Sequence, residues 1–393
     1  MYSVRDLARQ TGTDRMADLL SRIDAALAIE DAPSRRGELL ARRASYLARL
    51  GKFEDARRII GDLRSGFPAT SNPRVSIWTM AAEGIVCTFE DLSEEGNDRM
   101  MRAQTLALAV RDRTLIAWTS AWRAHLQSER SDFDGMARSL EATFSTCVGD
   151  EHDALARASM VLANAYSSCG ALELATRWYT SSRHHALEIG DQATIDALIY
   201  NEAAFTVGWL RAEACFSSPD QAAIAHAAGQ IASARNYQSL IGIRAVNNFA
   251  DLWQARLSLL QCDYSGAISA LGEVRYKEPF AAYNFDQALI DIELAYCHYK
   301  MGDLASASRL APHRRVDLSG LHRDEQLVAA WLREQMVEIA EDVLSIERAR
   351  NDLDATRTAY ALEQRGLRSA IERFDALSAP GLPDAVAHLS ARR

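Results

Sequence analysis

The chain has 393 residues, 48% of them hydrophobic and 25% charged, with a formal net charge of −9. That composition excludes a collagen-like or disordered chain, and no apolar run reaches the length that crosses a bilayer. The acidic surplus argues against a general binder of nucleic acid.

Met1 to Leu7 hold no apolar signal core. The six cysteines (Cys87, Cys147, Cys169, Cys215, Cys262 and Cys297) are scattered, with no C-x-x-C pair. They read as small, reduced core residues of a cytoplasmic protein. Arg and Ala greatly outnumber Lys and Asn, the bias of a GC-rich bacterial genome.

Residues 1–35 are expected to form an N-terminal helical cap. From 36 to 312 a cadence recurs. Gly51-Lys52-Phe53, Ser131-Asp132-Phe133, Gly170-Ala171-Leu172, Cys262-Asp263-Tyr264 and Gly302-Asp303-Leu304 each place a small or polar residue two before an aliphatic or aromatic one. Ala56, Ala175, Ala267 and Ala307 follow at one fixed offset, with Met136 in the same place. The starts fall near multiples of 40 residues, the mark of a helical-hairpin array. Proline is absent between Pro73 and Pro219 and between Pro312 and Pro380, which permits long helices. Apolar residues recur at steps of three and four, as at Leu155, Met160, Leu162, Ala163 and Tyr166. The expected fold is all-α, with about seven hairpins in 36–312. Two of them, near 77–110 and 194–235, lack the turn signature and rest on the period alone. Residues 208–219 read as a lengthened turn.

After Pro312 the pattern changes. Residues 322–378 read as one long coiled-coil helix, with d positions Leu332, Ile339, Ile346, Leu353, Tyr360, Leu367 and Phe374 all apolar. Arg350, Arg357 and Gln364 occupy the central a positions. Such a seam needs cover. A parallel homodimer is the first expectation, and a fold-back cap over the last hairpin is the second. Residues 379–393 form a tail.

The cadence resembles the tetratricopeptide repeat, and the likeness spans roughly 70% of the chain. In the best copy, about 156–191, Ala163 and Ala175 stand at the family's small positions, Tyr166 and Tyr179 at its aromatic ones and Gly170 at its turn. The resemblance implies a superhelix of hairpins whose first helices line a concave groove that binds a protein or peptide segment. Carried over position by position, the groove takes in Trp118, Trp122 and His125, then Arg157, Asn164 and Ser168, then Trp253 and Arg256, then Glu293, Tyr296 and Lys300. Asn201 stands one hairpin after Asn164. Asn would hold an extended backbone and Arg a carboxylate, while Trp anchors. The tryptophans read first as inter-hairpin core and second as groove residues.

A repeat array feeding a long heptad helix is also similar to bacterial signalling proteins that place such sensors ahead of a diguanylate cyclase (GGDEF) domain. Leu377 to Pro383 echo the entry to that domain. The likeness implies a sensor whose cyclase output has been lost or removed. Residues 2–14 look like the opening helix of a MerR-type helix-turn-helix, with no base-reading helix after it.

Nucleotide, α/β-hydrolase and zinc-protease motifs are absent from the sequence. His184 and His185 are adjacent, so they point about 100° apart on a helix and read as surface or hairpin residues. The expectation is a non-catalytic regulator or adaptor with no metal or cofactor. The alternative is a ligand-responsive transcriptional regulator.

Overall fold

The computed structural model describes residues 18–67, 72–90, 94–241, 247–276, 284–310, 313, 317–339, 343–377 and 379. Residues 2–14, most of the first half of the expected cap, and 380–393 of the expected tail lie outside them. The fold is all-α and built of helical hairpins, with seventeen helices and no strand among the described residues. A leading helix α1 (Leu19–Ile29) precedes seven pairs. These are α2 (Pro33–Arg49) with α3 (Phe53–Gly66), α4 (Pro73–Phe89) with α5 (Glu95–Ala109), and α6 (Arg113–Glu129) with α7 (Phe133–Thr146). Then follow α8 (His152–Ser168) with α9 (Leu172–Ile189), α10 (Gln192–Ala214) with α11 (Gln221–Ile241), α12 (Asn247–Leu260) with α13 (Tyr264–Val274), and α14 (Asn284–Lys300) with α15 (Leu304–Arg309). Two further helices close the chain, α16 (Arg323–Gln335) and α17 (Val343–Ile371).

The chain divides into two compact units. One gathers the described parts of 1–165, 173–198 and 370–393, and the other those of 166–172 and 199–369.

The first helices of the first five pairs begin at residues 33, 73, 113, 152 and 192, a step of about 40. The turns explain the cadence. Gly51, Ser131, Gly170, Cys262 and Gly302 all adopt the left-handed conformation, with φ of 73°, 55°, 71°, 59° and 80°. Each sits just past a helix end, where the next N–H reaches back to a helical carbonyl: Lys52 to Leu47, Asp132 to Gln127, Ala171 to Tyr166, Asp263 to Ser258 and Asp303 to His298. The following helix is then started by an aspartate in three cases. Asp132 accepts from the Gly135 N–H at 3.0 Å, Asp263 from Gly266 at 2.9 Å and Asp303 from Ser306 at 3.0 Å. One turn further on, Ala56, Met136, Ala175, Ala267 and Ala307 are all buried, at 0–2% exposure. Small side chains there let paired helices approach closely.

In the second unit, Gly170 is held doubly. A Cβ would lie 2.6 Å from the Trp209 ring, and φ is already in glycine's region. That contact also corrects the expected turn at 208–219. Helix α10 runs on to Ala214, and Gly208 is a buried helical residue whose missing Cβ leaves room for Asp324.

The long C-terminal helix is not one rod. Helix α16 ends at Gln335, Met336 leaves helical geometry, and a 3-10 turn spans Val337–Ile339 before α17 begins. Five of the seven d positions are buried within this one chain, while Val343 and Leu344 at the start of α17 are exposed. In the second unit Leu332, Leu353 and Tyr360 join a core with Ala212, Cys215, Leu289, Ile292 and Tyr296, and Ile339 packs against it. Leu367 is 5% exposed, and Ile346 is half-buried. The Arg357 Nη2 donates to the Cys215 carbonyl at 2.8 Å, and Tyr360 stacks on Phe216 at 6.2 Å. In the first unit Phe374 meets Phe144 at 6.2 Å, and Arg177 donates to the Leu377 carbonyl at 2.8 Å. The d positions Leu332, Leu353 and Tyr360 thus find cover within the chain, on α10 and α14.

Arg111 also turns left-handed, at φ 55°, and its side chain is exposed. Arg111→Gly is expected to stabilise the first unit by about 0.5–1 kcal/mol, since an L side chain pays roughly 1–2 kcal/mol there and glycine's extra unfolded-state freedom returns part of it. A thermal melt followed by circular dichroism checks this as a raised midpoint.

Candidate functional site

In the first unit, four first helices contribute one aromatic and cationic wall. Helix α4 supplies Trp78 and Phe89, and α6 supplies Trp118, Trp122 and His125. The rings follow one another without a gap: Trp78 to Trp118 at 4.5 Å, Trp118 to Trp122 at 5.9 Å, Trp122 to His125 at 5.8 Å and His125 to Phe89 at 6.4 Å. Trp78 and Trp118 stand one 40-residue step apart, so equivalent positions of successive pairs meet. Arginines cover the rings. From α2, Arg42 lies 5.3 Å from Trp78, and Arg49 lies 5.7 Å from Trp122 and 5.5 Å from Tyr46. From α8, Arg157 lies 4.0 Å from Trp122.

The charges on this wall are unevenly matched. Arg49 donates to both carboxylate oxygens of Asp191 at 2.8 Å and to the Thr194 hydroxyl at 2.6 Å. Asp191 also caps α10 through the Thr194 N–H at 3.0 Å. Arg42 pairs with Asp153 at 3.3 Å. Arg157 is 5% exposed and has no hydrogen bond or ion pair among the described residues. Burial, and then the like charge of Arg49, lower its pKa to about 9, so it stays charged at neutral pH. Desolvation, with Arg157 and Arg49 nearby, pushes the His125 imidazole down to about 3 and keeps it neutral. A buried guanidinium without an anion costs several kcal/mol, on the order of what removing one partner of a buried pair costs. This wall is therefore short of one negative charge.

The other expected groove residues have different surroundings. Asn164 is buried and accepts from the Tyr179 hydroxyl at 2.9 Å, a hydrogen bond that belongs to the core of its own pair. His185, expected at the surface or within its hairpin, is 3% exposed, and its Nδ1 lies 2.8 Å from the His152 Nδ1 on the other helix of that hairpin. In the second unit Asn201 is half-buried. The Trp253 indole N–H donates to the Tyr200 hydroxyl at 2.7 Å, and Arg256 lies 5.1 Å from the Trp253 ring. Arg256 is not available as an open clamp. Its Nε donates to Glu293 at 3.0 Å and its Nη1 to Glu325 at 3.1 Å, while Arg211 also donates to Glu293. Glu293 is fully buried between the two guanidinium groups. The neighbouring carboxyls Asp324 and Glu325 are pushed apart. Burial and then Glu325 raise Asp324, whereas at Glu325 the pull of burial is outweighed by Arg256 and Arg211, leaving it low.

The second unit also holds a half-open pocket of about 440 Å³, bounded by the end of α10, the turn after it, α12, the start of α13, α14, α16 and α17. Tyr296, expected in the groove, lies on its wall with Tyr264 and Trp331, in ring contact at 6.1 and 5.8 Å. Burial raises the thiols of Cys147, Cys215 and Cys297 to about 12 and that of Cys169 to about 11. No disulfide joins the described cysteines, and no cluster of His, Cys, Asp and Glu among the described residues is arranged to hold a metal ion.

The wall residues that sequence reasoning missed are Arg42, Arg49, Trp78 and Phe89. Trp78 was accessible through its 40-residue offset from Trp118. Arg42 and Arg49 belong to the first pair, two before the first groove assignment, and carry no local signal. No family model matches this sequence, and comparison with curated proteins returns no match. No helix among the described residues is long and apolar enough to cross a membrane.

Two expected outcomes test the charge accounting. Glu293→Gln leaves Arg211 and Arg256 facing each other without their shared carboxylate, and is expected to cost about 3–5 kcal/mol in denaturant unfolding of the second unit. Arg157→Met keeps contact with Trp122 and removes an unmatched charge. It is expected to stabilise the first unit by about 1–3 kcal/mol, read as a higher unfolding midpoint.

Proposed function

We propose that this chain is a non-catalytic, tetratricopeptide-type binding protein whose first unit captures an acidic segment of a partner protein. The observation that carries this reading is Arg157, buried and charged on the Trp122 ring with no anion of its own. A fold that keeps a charge at that cost, when an apolar side chain of similar size would be more stable, keeps it for a partner. Trp78, Trp118 and Trp122 are themselves 2–6% exposed and form the packed floor behind Arg157, while Phe89, 42% exposed, offers open aromatic surface beside it. Glu or Asp on the incoming segment would take both guanidinium edges, with Arg49 adding a second positive charge nearby. Thiols unjoined by disulfides fit work in the cytoplasm. The left-handed turns and the buried small residues after them support the repeat type.

The test is a fluorescence titration of the intact chain with short peptides of matched length carrying Glu, Gln or Lys at the centre. Glu peptides are expected to change tryptophan emission saturably, with affinity falling as salt rises. Arg157→Gln should weaken this at least tenfold while circular dichroism stays unchanged. Equal binding of the Glu and Gln peptides, or an unaffected Arg157→Gln variant, overturns the reading.

A further inference from the structure

We propose that the pocket in the second unit is a binding site for a small monocarboxylic acid with an apolar body, and that Arg357 receives its carboxylate. The cavity lies wholly within residues 211–357 and is separate from the Arg157 wall. Its volume of about 440 Å³ falls in the range of small-molecule sites, about 300–1,000 Å³.

Its lining is chemically two-sided. Leu259, Leu260, Val328, Leu332 and the Tyr264–Tyr296–Trp331 rings give an apolar body. Three arginines, Arg211, Arg256 and Arg357, give the polar part. Two of these are already matched, since Glu293 accepts from Arg211 and Arg256, and Glu325 accepts from Arg256. Arg357 is different. Its Nη2 donates to the Cys215 carbonyl at 2.8 Å, and its guanidinium lies 5.7 Å from the Phe216 ring. Its Nε has no hydrogen-bond partner, and no carboxylate among the described residues pairs with it. Arg211 and Arg256 are met by Glu293 and Glu325, with Asp324 also close to Arg211, so Arg357 is the arginine of this lining without a carboxylate of its own, and the group that complements it is an anion. A planar guanidinium held by a carbonyl on one edge and an aromatic face selects a planar carboxylate, which can take two parallel N–H bonds. The apolar wall then favours an alkyl or aryl body over a sugar or a phosphate ester.

A carboxylate on an apolar body has two sources, a free organic acid and the last residue of a peptide. Calorimetric titration of the full chain separates them. The probes are sodium octanoate, its neutral analogue octanamide, and the peptide Gly-Gly-Leu with a free or an amidated terminus. Saturable binding of octanoate, at least tenfold tighter than octanamide, is expected, with Gly-Gly-Leu weaker. Arg357→Gln should reduce octanoate affinity at least tenfold, and Arg357→Lys should recover part of it. Free Gly-Gly-Leu binding in place of octanoate, with the amidated form silent and the same Arg357 dependence, supports the chemistry and assigns it to a chain terminus. The octanoate and octanamide comparison uses the unaltered protein, so it stands even if an Arg357 variant unfolds. Equal binding of acid and amide, no binding of either acid, or full affinity in a folded Arg357→Gln variant overturns the proposal. None of these outcomes touches the Arg157 reading, whose residues lie in the other unit.

Discussion

Five of the seven hairpins depend on one local constraint: a single residue in the left-handed region just past a helix end. That residue turns the chain and lets the following N–H satisfy a helical carbonyl. It also launches a second helix whose small side chain is pressed against the first. Where the residue is glycine the turn is nearly free of strain. At Ser131 and Cys262 it is maintained against a side chain, with φ of 55° and 59°. Because the turns recur at a nearly fixed interval, equivalent positions of neighbouring first helices come to lie side by side. Trp78 and Trp118 touch for that reason, and the aromatic wall of the first unit is a consequence of the period.

The two units treat buried charge in opposite ways. In the second, Glu293 sits between Arg211 and Arg256, and Glu325 completes the set, so desolvation is offset by close pairing and the network ties α10, α12, α14 and α16 together. In the first, Arg49 is closed in the same manner by Asp191, but Arg157 is left open on Trp122. A closed network holds a structure, while an open one is the basis of the proposed binding site. The same contrast separates Arg357 from the other two arginines on the cavity wall.

Much of this fold was legible in the sequence. The all-α class and the hairpins followed from the turn cadence and from apolar steps of three and four, because both are local. Trp118, Trp122 and Arg157 were picked out by their place in the repeat and do share one wall. Other expectations failed where distant contacts decide. Gly208 reads as a turn residue, yet it serves a close approach by Asp324 within a helix. The heptad pattern shows an apolar seam but not what covers it, and α10 and α14 cover Leu332, Leu353 and Tyr360 within the chain. Asn164 and Arg256 have the chemistry of ligand clamps, but Tyr179, Glu293 and Glu325 already occupy them. Burial and pairing are tertiary facts, and no spacing along the chain encodes which arginine will be left without a partner.

The most direct test is a crystal structure of the chain bound to an acidic peptide that it captures. The account predicts a peptide carboxylate oxygen about 3 Å from the Arg157 guanidinium, beside the Trp122 ring, with the Arg49–Asp191 pair intact. A peptide seated elsewhere, with Arg157 still unpaired on Trp122, would contradict it.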